Sequence, residues 1–246
     1  VGAFATSIVW VGLIYLEERR AADLLSISPL GQLEALAHAG QFAALKSRNM
    51  ASFEGGNIGA VVKTSPYSYK LQMRSDNDDA LPHSWRQWYY FCLDDLPTDA
   101  PVTVTVEGLG IPNYFLPFYS LDNVDWIQFP ESGVKQLNPQ TVQITLQFKQ
   151  SKIWFARYIP YTYSRLMRYL DGVKDKPDVK ISYLGRSPGG RRMPLVTITE
   201  DQGIRTKERV IIHARTHPGE VGASLVLEGL INFLLSDSES ARSLRS

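Results

Sequence analysis

A histidine and a glutamate three residues apart, in His217-Pro218-Gly219-Glu220, stand where the apolar run Val210-Ile211-Ile212 gives way to an apolar helical pattern. Imidazole nitrogen and carboxylate oxygen both bind zinc at about 2 Å, and a strand-to-helix turn lets one short segment supply both. Zinc held by two imidazoles and a carboxylate polarises a carbonyl and lowers the pKa of its bound water toward neutrality, which is chemistry for hydrolysing a peptide bond. A catalytic zinc takes three protein ligands and one open position. His217 and Glu220 supply two. Beyond Glu220 the oxygen donors are Glu228, Asp237, Ser238 and Glu239, and Glu228 is two helical turns on, about 12 Å along the axis. His213 is expected on an extended strand, beside the site or in the core, and His38 and His83 read as surface or packing histidines. On spacing alone His217 could end a strand while Glu220 favours a helix N-terminus by its charge, and that reading stays open here.

Around this pair the pattern is strand, turn, strand, strand, helix, which is how a mixed α/β sheet begins. Val179 to Leu184, Met193 to Thr199 and Arg209 to Ala214 read as strands, with a solvated hairpin tip at Arg186 to Arg192. Val221 to Leu235 reads as a helix whose apolar face, with Leu225, Leu227, Leu230, Ile231 and Leu234, is too broad for one solvated side. Further chain or neighbouring subunits are expected to pack on it. Pro160 to Leu170 reads as a short helix capped by Thr162 or Ser164, and Asp171 to Asp178 as a linker.

The region 51–158 has a different texture. Short runs alternate apolar and polar residues, as in Val102, Val104, Val106 and in Val142, Ile144, Leu146, divided by turn residues such as Ser75-Asp76-Asn77-Asp78. That pattern predicts an antiparallel β-sandwich of about one hundred residues, with Trp85, Trp88, Tyr89, Tyr90 and Phe91 in its core. Leu30 to Arg48 reads as a connecting helix. Val1 to Leu16 carries no charge and ends at Glu17-Glu18-Arg19-Arg20. It is shorter than the roughly 20 residues of a membrane span, and reads as either a membrane anchor or a buried core helix.

The chain has 246 residues, 44% of them hydrophobic and 11% aromatic, enough for packed cores. Its net charge of +1 and lack of any long like-charge block exclude a nucleic-acid partner. Cys92, the single cysteine, has no partner for an internal disulfide and reads as a small buried hydrophobe.

Several segments, taken in order, resemble one family. Phe53-Glu54-Gly55-Gly56-Asn57-Ile58, Gln87-Trp88-Tyr89-Tyr90-Phe91 and Tyr158-Ile159-Pro160-Tyr161-Thr162-Tyr163 are similar to the N-terminal β-domain and junction of the cytosolic branch of the zinc metallocarboxypeptidases. Leu184-Gly185-Arg186-Ser187 with Gly190-Arg191-Arg192, and Ala214-Arg215-Thr216-His217-Pro218-Gly219-Glu220, resemble the opening and the zinc motif of its peptidase domain. The resemblance implies removal of C-terminal residues, often glutamates, with Zn²⁺ as cofactor and His217 and Glu220 as two of three ligands. It also implies a third histidine, a general base and a carboxylate-binding arginine that these 246 residues lack, so this chain by itself is expected to be inactive, with zinc absent or weakly held. The alternative is a non-catalytic, membrane-anchored accessory subunit of an organellar complex. Localisation is cytosolic by resemblance, or an organellar membrane if Val1 to Leu16 anchors. The expected fold is α+β in two domains: an N-terminal apolar helix and connecting helix over 1–50, a β-sandwich over 51–158, a junction over 159–178, and a truncated α/β carboxypeptidase-like domain over 179–246.

Overall fold

Ser7–Gly12 (β1) is a strand, where an apolar helix is expected from the sequence. The computed structural model describes residues 7–12, 43–45, 50–75, 82–200, 209–217 and 219–246. An apolar run without alternation fits a strand inside a sheet as well as it fits a helix, and periodicity cannot separate the two. The β-branched residues Ile8, Val9 and Val11 favour the strand. A helical anchor across Val1 to Leu16 is incompatible with β1, and among the described residues no single helix is long and apolar enough to cross a membrane. The connecting helix expected over Leu30 to Arg48 lies largely outside the described residues. Within it, Ala43–Leu45 (β2) is a strand as well.

The chain divides into two compact units, Arg19–Pro160 and Val1–Glu18 with Tyr161–Ser246. In the first, β2 is followed by β3 (Val61–Ser65), β4 (Ser68–Gln72), β5 (Tyr90–Leu93), β6 (Val102–Glu107), β7 (Phe118–Ser120), β8 (Trp126–Gln128), β9 (Val134–Asn138), β10 (Thr141–Leu146) and β11 (Ile153–Ala156). They form a six-stranded sheet ordered β2-β3-β4-β6-β10-β9 and a four-stranded sheet ordered β5-β11-β7-β8. One pair departs from the antiparallel expectation. β4 and β6 run parallel, with Tyr69 opposite Val104, because the chain between them crosses to the other sheet as β5.

Alternation decides which side chains are buried. Val102, Val104, Val106, Val142 and Ile144 are each at most 1% exposed, and they meet Phe91, Ile153 and Phe155 of the second sheet in one core. Phe91 and Phe155 stack at 5.1 Å between centroids. Tyr89, Tyr90 and Phe91 are core residues as expected, whereas Trp85 is 53% exposed in a short helical turn. Cys92 is buried, with its thiol pushed up to about 11 by desolvation. Arg157 is 1% exposed and gives its guanidinium to the carbonyls of Gln87 and Pro112.

The second unit has a four-stranded sheet ordered β12-β13-β1-β14, from β12 (Val179–Arg186), β13 (Arg192–Ile198), β1 and β14 (Arg209–Ala214). β1 pairs antiparallel with β13 and parallel with β14, Val11 standing opposite His213. The tip between β12 and β13 is a hairpin turn with Gly190 at φ 79°, and Arg186 donates to the Gly190 carbonyl. Helix α1 (Tyr163–Val173) starts at Thr162, whose hydroxyl accepts from the Arg165 amide at 3.2 Å, and runs on through Gly172 into the expected linker. Helix α2 (Val221–Leu234) buries Val221, Ser224, Leu227, Ile231 and Leu234 along one face. Its other face leaves Val226 74% and Phe233 41% exposed. A last helix, α3 (Glu239–Arg245), is capped by Ser238.

Candidate metal centre

β14 ends at Ala214, which is buried, and the chain turns at once. Arg215 adopts φ 57°, left-handed backbone that a residue with a Cβ enters only when its surroundings impose it. Its side chain is buried, the residue being 6% exposed, and Nη1 donates to the carbonyl oxygen of Tyr161. Burial lowers the guanidinium pKa to about 10, so the group is still charged at neutral pH.

Two residues later the chain presents His217, and the Glu220 amide donates to the His217 carbonyl at 3.1 Å to close the turn. Glu220 reaches back over it. Its Oε1 lies 2.8 Å from His217 Nδ1, and its Oε2 accepts from the His217 amide at 3.3 Å. The histidine hydrogen bonds hold the Glu220 carboxyl below the usual carboxylate range. Both side chains are open to solvent, 63% and 52% exposed. Glu220 then stands at the N-terminal end of α2, where negative charge is favourable. Gly219 is not in left-handed backbone, and a Cβ there would meet nothing within 4 Å. The conformational demand of this turn falls on Arg215 and not on Gly219. Pro218 lies outside the described residues.

The donor types suit zinc, but the spacing as it stands is that of a hydrogen bond. Two ligands each about 2 Å from a tetrahedral ion stand about 3.3 Å apart, so the pair needs to open by roughly half an ångström. A neutral imidazole can do this by moving its proton from Nδ1 to Nε2, releasing Nδ1 as a donor to metal. The other residues considered from the sequence do not complete the set. His213 is exposed on β14, with Nδ1 3.1 Å from the Thr216 hydroxyl. Glu228 pairs with Arg165 at 3.2 Å. Ser238 caps α3, and Asp237 and Glu239 flank it there. His83 is exposed in the other unit, and His38 lies outside the described residues. Among the described residues no cluster of three or more histidine, cysteine or carboxylate side chains is placed to hold a metal ion.

Behind the turn lies a polar network that sequence reasoning missed. Tyr161 is 2% exposed, and the Arg165 guanidinium sits 5.0 Å from its ring centroid. Tyr169 of α1 donates to the Glu228 carbonyl at 3.1 Å and meets Asn232 Oδ1 at 3.0 Å, tying α1 to α2. The Tyr161 hydroxyl is buried beside Glu228 outside hydrogen-bond geometry, and burial with that carboxylate pushes it well above the ordinary phenol range. Arg215 and Tyr161 were legible in the sequence only as letters of two separate motifs.

Comparison with known proteins supports a carboxypeptidase-like fold. Residues 50–158 match the cytosolic carboxypeptidase N-terminal domain, and residues 166–246 match zinc carboxypeptidase. The chain therefore belongs to the zinc carboxypeptidases, in their cytosolic carboxypeptidase branch. It is 31% identical to human cytosolic carboxypeptidase 2 over 222 residues, covering 78% of this chain and 24% of that protein. Against mouse cytosolic carboxypeptidase 6 the identity is 29%, covering 79% and 39%. Among solved structures, a candidate carboxypeptidase A from Shewanella denitrificans superposes with TM-score 0.69 at 27% identity, covering 79% of this chain and 51% of that one. The metallo-carboxypeptidase from Burkholderia cenocepacia gives 0.65 at 26% identity, covering 82% and 51%. The chain thus spans about a quarter to two fifths of these curated relatives and half of the solved chains.

Proposed function

We propose that His217 and Glu220 are two of the three protein ligands of a carboxypeptidase zinc ion, in a protein that removes C-terminal residues, glutamates among them, from polypeptides. The observation that carries this reading is the convergence of an imidazole and a carboxylate on one exposed turn between β14 and α2. Bound zinc supplies an activated water and a Lewis acid for the scissile carbonyl. This chain's own part is to hold the two donors on one side of the turn and to place the Glu220 charge at the start of α2. The 246-residue polypeptide by itself is proposed to lack turnover, since His217 and Glu220 are two donors and a catalytic zinc takes three.

Further polypeptide, from the same protein or a neighbouring subunit, is proposed to cover the outer face of α2, where Val226 and Phe233 are exposed, and the edge strand β14, where Ile211 is 69% exposed. Such apolar area on a strand edge and helix face is a contact surface or an aggregation hazard.

Zinc titration followed by nuclear magnetic resonance tests the site. Structural zinc sites with four ligands are worth about 10–16 kcal/mol. Two ligands should then contribute about 5–8 kcal/mol, a dissociation constant between about a micromolar and a few hundred micromolar. Shifts at His217 and Glu220 that saturate in that range, and vanish in His217→Ala and Glu220→Ala, are expected, with no release of C-terminal glutamate from a peptide. Absence of any response at these two residues would refute the metal reading, and peptide hydrolysis by the purified chain would refute its assigned inactivity.

A further inference from the structure

Arg215 and Tyr161 belong to segments more than fifty residues apart, yet they meet behind the donor pair. The Arg215 guanidinium, buried with its residue 6% exposed, donates to the Tyr161 carbonyl, and its backbone is held at φ 57°. Tyr161 is in turn fixed by burial and by Arg165 over its ring, 5.0 Å from the centroid. Arg165 also engages Glu228 of α2, the helix that Glu220 begins. The left-handed residue lies two positions before His217. If its φ relaxed to the extended region the chain would leave β14 in another direction, carrying His217 away from Glu220.

We propose that Arg215 and Tyr161 form a latch that positions the His217–Glu220 donor pair for metal, so that Arg215 is a positioning residue of the site. This rests on the zinc reading above. The guanidinium suits the task because its several donors are fixed in one plane, whereas an ammonium is a point charge on a flexible stem. Arg215→Gly removes the donor while allowing the same φ freely, which separates the clamp from the backbone conformation. Arg215→Lys keeps a charge and one donor.

The test uses the 246-residue chain with Zn²⁺ as the probe and two readouts. In metal-free protein, amide exchange of His217 and Glu220 is compared with that of Leu227 to Leu234 inside α2. In Arg215→Gly the turn amides should exchange at least tenfold faster, while the α2 interior changes by less than about threefold. The zinc dissociation constant, measured per folded molecule, should rise at least tenfold, with Arg215→Lys between Gly and wild type. A merely structural arginine would accelerate turn and helix alike and leave the affinity of the folded fraction unchanged, and that outcome overturns the latch. Should Arg215→Gly fail to fold, the same criteria apply to Arg215→Lys. If wild type shows no zinc response at His217 and Glu220, the proposed function fails separately, and the exchange comparison still decides whether Arg215 orders the turn.

Discussion

Arg245 closes the second unit, and replacing it with methionine should cost about 3 kcal/mol. The helix that carries it, α3, has seven residues, too few to persist in water without tertiary contacts. Its guanidinium, with a side chain 8% exposed, stands 2.9 Å from Asp178 Oδ2 and 3.9 Å from Glu200 Oε1. The nearer contact lies off the N–H axis, a charge pairing more than an aligned hydrogen bond. Nη1 donates to the carbonyls of Leu234, the last residue of α2, and of Ser236 just beyond it. Breaking a buried pair by removing one partner costs about 3–5 kcal/mol. Asp178 and Glu200 keep 21% and 31% side-chain exposure, so water recovers part of their solvation and the lower end of that range applies. Hydrogen exchange measured by mass spectrometry on peptides from α2 and α3 reads this unit without relying on probes in the other one. About 3 kcal/mol corresponds to exchange roughly a hundredfold faster. Adding Asp178→Asn to Arg245→Met should restore at least about 1 kcal/mol, since the second change removes the stranded charge. Exchange in Arg245→Met within threefold of wild type would refute the reasoning.

Two further outcomes are expected. Gly219→Ala should leave stability unchanged or raise it by up to about 1 kcal/mol, because the position has space for a Cβ and needs no left-handed backbone; a loss above 1 kcal/mol in urea unfolding contradicts this. Cys92, its thiol raised to about 11 from 9.0, should react with a thiol reagent at pH 8 about a hundredfold more slowly than a free cysteine. The sign for stability follows. Burial favours the neutral thiol and, at Tyr90, a phenol raised to about 12, so their contribution is complete below the unfolded values and is lost as pH rises through the folded ones. The sandwich should therefore lose stability from about pH 9 upward, and a tryptophan-monitored unfolding midpoint that stays flat to pH 11 would contradict the assignment.

Much of the sandwich was legible because its strands bury one face each: the alternation in Val102 to Glu107 marks both the strand and its inward residues. Thr162 marks the start of α1 for a similarly local reason, a hydroxyl able to take an orphan amide. β1 was not legible, since an apolar run without alternation reads equally well as a strand or a helix. Strands β7 and β8 have three residues each, too few for any period to register. α3 is concealed in the polar run Glu239-Ser240-Ala241-Arg242-Ser243-Leu244-Arg245, and what holds it is the distant pair Asp178 and Glu200. The half-site shows the same division. His217 and Glu220 could be read from their chemistry and spacing, while the residue that carries the strain of their turn could not.

That strain sets what Arg215 can contribute. A left-handed residue with a Cβ costs roughly 1–2 kcal/mol, and burial of the cation, which lowers its pKa, adds a desolvation cost. A hydrogen bond from a charged donor to the Tyr161 carbonyl returns about 1.5–3 kcal/mol, and burying the methylene stem returns an amount of similar order. A glycine would reach the same φ without strain or desolvation. What the arginine adds is direction: the exit from β14 is fixed to a carbonyl at the start of α1, and two residues later His217 is delivered within 2.8 Å of Glu220 on a turn that is otherwise open to solvent.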